Sequence, residues 1–156
     1  MSTKHIEVVP YNPEWPHQFK DEAALIQQVL REHCVAVHHI GSTSIPGLSA
    51  KNILDILCVV DTLAASLALE QAGYTHKGEY NIPLCAYFSK NTGNIKVNLH
   101  VVEPDHGFIE LNLCFRDYLR AHGEAREEYA HLKEILLTDP ASYERAINRF
   151  TDYGTW

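Results

Sequence analysis

The chain has 156 residues, 46% hydrophobic and 21% charged, which fits one folded domain over residues 1–156 and excludes disorder. Its formal net charge of −7 excludes a general nucleic-acid-binding surface, although a local basic pocket stays compatible with it. The longest apolar run, Ile53 to Val60, is interrupted by Asp55 and is too short to span a bilayer.

The N-terminus, Met1 to Pro10, has no apolar signal core, so a soluble cytoplasmic protein is expected. Ile6 to Val9 reads as a short strand. Asn12-Pro13 gives a helix cap followed by Pro in the first turn. Trp15, Phe19, Ala23, Ile26 and Leu30 recur at helical spacing, which predicts a helix over 13–32. Cys34 to Ile40 is β-rich and predicts a strand. Gly41 to Lys51 is rich in Gly, Ser, Thr and Pro and predicts a loop or tight turn.

Ile53 to Val60 predicts a central strand buried on both faces. Asp61 or Thr62 caps a helix that ends at Gly73. Leu84 to Lys90 and Ile95 to Glu103 predict two strands joined by a hairpin loop at 91–94. In the second strand Lys96, Asn98 and His100 share a polar face. Phe108, Leu111, Phe115 and Leu119 form a helical stripe that Gly123 stops. Tyr129, Leu132 and Leu136 mark another helix. Asp139-Pro140, Tyr143, Ile147 and Phe150 mark a last one. A helix, a mainly β middle and a helical C-terminal third make an α+β fold.

Four features bear on chemistry. His39 to Leu48 ends a strand in Gly41-Ser42, and small residues let a backbone approach an anion closely; the segment by itself leans to a plain strand-to-helix turn without a ligand. Asp55 is a carboxylate within an apolar strand, so it needs a partner: Lys51, a metal, or several donors. If the strand carrying Asn98 and His100 lies beside that of Asp55, all three face one cleft, and His100 becomes a candidate base, metal ligand or phosphate contact. Arg116 and Arg120 lie four apart on a helix, where they reach an anion or simply form a solvated face. His38 and His39 point to opposite sides of a strand and so do not share a zinc ion. The four Cys fit no zinc spacing.

Taken in order, Val8-Val9-Pro10-Tyr11-Asn12-Pro13-Glu14-Trp15-Pro16, then His39 to Lys51 with Asp55-Ile56-Leu57, resemble the opening and centre of the GrpB family. Leu99-His100-Val101-Val102, Phe115 to Arg120, Tyr129 and Leu132-Lys133 resemble its later blocks. The resemblance implies membership of the nucleotidyltransferase superfamily, with a polymerase-beta-like mixed sheet flanked by helices. It implies that Gly41 and Ser42 meet a triphosphate, and that Asp55 is a metal carboxylate for Mg²⁺. The superfamily's partner carboxylates are replaced here by Ile53 or Leu57, and on the later strand by Asn98 and His100.

The expected function is binding of a nucleotide or another phosphorylated small molecule, with transfer of a nucleotidyl group to a small acceptor as its reaction. Asp55 and His100 are the candidate catalytic residues, and Gly41, Ser42, Thr43, Lys51, Asn98 and Arg116 the candidate ligand-binding ones. The alternative is a non-catalytic ligand- or protein-partner-binding domain. Fusion of GrpB-like domains to a coenzyme A biosynthesis kinase supports that helper role by analogy.

Overall fold

A computed structural model describes residues 8–78 and 83–138. Ile6, Glu7 and the helix expected after Asp139-Pro140 lie outside those residues. The first strand, β1, covers Val8–Val9. Helix α1 follows over Trp15–Leu30. Asn12 prepares its entry: the Glu14 N–H donates to Asn12 Oδ1 (2.9 Å), and the Trp15 N–H donates to the Asn12 carbonyl (3.0 Å). Regular helix therefore starts two residues later than the Pro13 signal predicts. It also ends two residues early, because Arg31 adopts φ +55° and a 3-10 turn, Arg31–His33, leads into the next strand.

That strand is β2, Cys34–Ile40. After it come a 3-10 turn at Ser42–Ser44, the short β3 at Ala50–Lys51 and the long β4 at Ile53–Val60. A 3-10-type helical segment, Leu63–Ala72, closes on Gly73, which sits at φ +91° where a left-handed cap is needed. β5 (Thr75–His76), β6 (Ala86–Asn91) and β7 (Lys96–Val102) complete the β-rich middle. Helices α2, Gly107–Ala121, and α3, Gly123–Thr138, follow; Gly123 opens α3 rather than simply stopping α2. Among the described residues no helix is long and apolar enough to cross a membrane.

The main sheet has the order β2-β4-β7-β6-β5, while β1 and β3 pair in a separate two-stranded ribbon. Only β4 and β7 run parallel among the described pairs; the rest are antiparallel, so the sheet is mixed. Alternation along β4 divides the core. Leu54, Ile56, Cys58 and Val60 face α1 and the 63–72 segment, in a cluster with Trp15, Ile26, Leu30 and Phe88. Leu57 and Val59 face the other side and pack with Ile40, Val102 and Phe108 of α2. A third cluster, Ile45, Leu48 and Leu119 with Phe115 and Tyr129, seats the Gly41–Leu48 segment against α2 and α3. Glu22 of α1 fastens the first face at its far side: its Oε1 accepts from Tyr74 (2.8 Å) and from Lys90 Nζ (2.9 Å). The predicted two-sided burial of β4 follows from these helices on both faces.

Candidate functional site

Asp55 occupies the Leu57 face of β4, and the register fixes its neighbours. Ile40 is its partner on β2 and Asn98 its partner on β7. The chain leaves β2 immediately after Ile40, so Gly41 passes over Asp55. Gly41 has φ +73°, and a Cβ placed on it falls 2.6 Å from Asp55 Oδ2 and 3.0 Å from Asp55 Cβ. Glycine is required here twice over, by the left-handed backbone and by the carboxylate packed against it. The turn is closed by the Ser44 and Ile45 amides, which donate to the Gly41 and Ser42 carbonyls at 3.1 and 3.2 Å, and by Ser44 Oγ donating to the Gly41 carbonyl.

The strand carrying Asn98 and His100 does lie beside that of Asp55, and both residues take the Asp55 face. Asn98 Nδ2 donates to Asp55 Oδ1 over a long 3.4 Å. Tyr87 of β6 donates its hydroxyl to Asn98 Oδ1 at 2.8 Å. His100 sits two residues further along β7, opposite Tyr87, with ring centroids 5.1 Å from Tyr87 and 5.3 Å from Phe108. Its Nδ1 is enclosed with no hydrogen-bond partner among the described residues, and burial pushes its pKa down to about 4. A neutral imidazole wedged between two aromatic rings is a weak base at neutral pH.

The other candidates are distributed around the turn. Ser42 Oγ lies 3.4 Å from the Tyr129 hydroxyl of α3. Thr43 turns inward, and its Oγ1 lies 2.9 Å from His39 Nε2. His39 is buried, stacks on Phe19 at 5.0 Å, and has its pKa pushed down to about 4 by burial and then by Arg120 and Arg116. Lys51 lies in β3, across from Val8. Arg116 and Arg120 of α2 both reach back to the β2 end. Arg116 Nη1 donates to the His39 carbonyl (3.3 Å) and its Nε to Asp117 (2.9 Å), while Arg120 Nε donates to the Ser44 carbonyl (2.9 Å). His38 is held below its ordinary pKa by burial and by Arg116.

Glu103, the nearest acid after β7, is spent elsewhere: its Oε2 accepts from the Leu63 N–H at 2.8 Å and starts the 63–72 segment. Tyr87 and Arg120 contribute more than sequence reasoning assigned them. The hairpin loop at 91–94 carried the signal for Tyr87, since Asn91 opposite Lys96 puts Tyr87 opposite His100.

A pair of Mg²⁺ ions on a triphosphate needs several carboxylates from adjacent strands. Here β4 offers Asp55, and the facing position of β7 offers an amide whose oxygen already accepts from Tyr87. No group of three or more His, Cys, Asp or Glu comes together as metal ligands among the described residues. This donor set does not fit a two-cation centre.

A family model described as GrpB protein matches residues 5–153. The UPF0157 protein YqkA of Bacillus subtilis (strain 168) is 37% identical over 151 residues, covering 94% of this chain; the chain spans 43% of that relative's length. The UPF0157 protein BH1888 of Halalkalibacterium halodurans is 38% identical over 155 residues, covering 94% of this chain and 75% of that protein. A dephospho-CoA kinase of Mycolicibacterium paratuberculosis matches over 76 residues at 34% identity, 44% of this chain and 19% of the kinase. The crystal structure of the conserved protein GrpB from Enterococcus faecalis superposes with a TM-score of 0.80 at 31% identity over 96% of each chain. The Cid1 poly(U) polymerase superposes with a TM-score of 0.57 at 10% identity over 83% of this chain and 42% of that one, a likeness of fold alone.

Proposed function

Because the chain belongs to the GrpB family and has the fold of distant nucleotidyltransferases, we propose that it binds a nucleotide or another phosphorylated small molecule beside the Gly41–Ser44 turn. The observation that carries this reading is the contact between Gly41 and Asp55. It puts a carboxylate, the backbone of a Gly-Ser turn and the Asn98 amide at one end of the sheet. In this arrangement Gly41 and Ser42 border the phosphate, while Asp55 accepts from a ligand hydroxyl. Arg116 and Lys51 supply positive charge nearby, and Thr43 acts from beneath by holding the turn to His39. One of the distant structural neighbours was solved in complex with the UTP analogue UMPNPP, which supports a nucleoside triphosphate as the first ligand to try.

Nucleotidyl transfer to a small acceptor is the reaction such a site would perform if complete. The donor set around Asp55 favours a second reading, a ligand- or partner-binding domain without catalysis, and the partial match to a dephospho-CoA kinase is in keeping with a helper role.

Calorimetric titration with ATP, GTP, CTP and UTP, each with and without Mg²⁺, tests the proposal. We expect heat with at least one of them and its loss in Asp55→Asn, with the fold intact by circular dichroism. No heat with any nucleotide in a folded protein overturns nucleotide binding and leaves partner binding as the reading.

A further inference from the structure

The amide at Asn98 stands where a second acidic ligand would complete a metal pair with Asp55, and its orientation is set by its neighbours. The Tyr87 hydroxyl donates to Oδ1 at 2.8 Å, which turns Nδ2 towards the Asp55 carboxylate. In the flipped orientation Oδ1 would oppose the carboxylate, acceptor against acceptor, so the two hydrogen bonds reinforce one another. Tyr87 is itself largely buried and packs on His100, so its hydroxyl is held rather than swinging free.

From this chain of donors we infer that the Asp55 end of the sheet is a donor–acceptor site that takes a sugar hydroxyl of its phosphorylated ligand in place of paired divalent cations, with Tyr87 as the positioning residue. A cation between β4 and β7 meets one carboxylate and, on the other side, the positive end of an N–H dipole. A hydroxyl meets complementary partners instead: it donates to Asp55 and accepts from the second Asn98 N–H. The inference rests on the ligand reading above for the hydroxyl, whereas the cation half stands on Tyr87, Asn98 and Asp55 alone.

The test separates the two. Purified wild type, Asn98→Asp, Tyr87→Phe and Asp55→Asn are titrated with MnCl₂ in the absence of nucleotide, and free Mn²⁺ is read by electron paramagnetic resonance. Wild type should leave the Mn²⁺ signal unchanged at the protein concentration used. Asn98→Asp creates two facing carboxylates and should bind Mn²⁺ at least ~10-fold more tightly than wild type. Tyr87→Phe frees the amide to turn its oxygen towards Asp55 and should bind between the two. Should Asn98→Asp fail to fold, wild type and Tyr87→Phe still decide the matter. Mn²⁺ binding by wild type that Asp55→Asn abolishes overturns the inference, as does Tyr87→Phe binding no better than wild type. If a nucleotide binds, EDTA should leave wild-type affinity unchanged and a ribose-bearing phosphate should bind more tightly than inorganic phosphate. Strict Mg²⁺ dependence, or equal affinity for the two phosphates, overturns it as well. The absence of any nucleotide heat refutes the ligand reading without touching the Mn²⁺ result.

Discussion

Gly41 and His39 show how closely single residues are held at the end of β2. Gly41→Ala forces a side chain into left-handed backbone, at a cost of ~1–2 kcal/mol, and drives its Cβ to 2.6 Å from Asp55 Oδ2, which adds a similar overpacking cost. The expected loss is ~2–4 kcal/mol in urea denaturation, and in an Asp55→Gly background only the conformational part should remain. His39 is 6% exposed and its pKa falls from 6.5 to about 4 on folding. The unfolded chain therefore binds its proton first. The stability contributed by neutral His39 is complete above pH 6.5 and is lost as pH falls from 6.5 to about 4, by up to ~3 kcal/mol. The urea midpoint should drop across that window, and His39→Gln should flatten the slope. At this scale Asp55 was legible because a carboxylate in an apolar strand demands a partner. Tyr87 is legible only once the register set by the 91–94 loop is followed, because a tyrosine in a β-hairpin otherwise looks like ordinary packing.

The turn from Gly41 to Ser44 closes on its own hydrogen bonds, and α2 adds donors to the carbonyls at its two ends. Arg116 and Arg120, one helical turn apart, carry the His39 and Ser44 carbonyls, while Leu119 between them packs on Ile45 and Leu48. Arg120→Ala removes the donor to Ser44, which should cost ~1 kcal/mol of local stability. Amide hydrogen exchange should quicken at Ser44 and Ile45 while β4 amides keep their protection; equal acceleration in both would show that the arginine supports the whole sheet instead. Periodicity made α1, β2, β4 and α2 legible to within a few residues, and marked α3 only from Tyr129, well inside its start at Gly123. It did not reveal β3, β5 or the 3-10 winding of 63–72. A two-residue strand carries no pattern, and both helix types place apolar residues about three apart.

At the level of the whole molecule, composition and element order were enough for an α+β domain, and the family motifs for the mixed sheet. The strand order was not readable from pattern, since alternation says which residues share a face but not which strand lies next door. That adjacency is what unites Asp55 with Asn98. It also ties the site to the completed sheet. Gly41 and Asp55 are close in sequence and meet across the antiparallel β2–β4 pair, whereas Asn98 is 43 residues beyond Asp55 and depends on the parallel β4–β7 seam. Any ligand that needs the turn, the carboxylate and the amide together recognises the folded sheet alone, and by mass action it holds that seam closed.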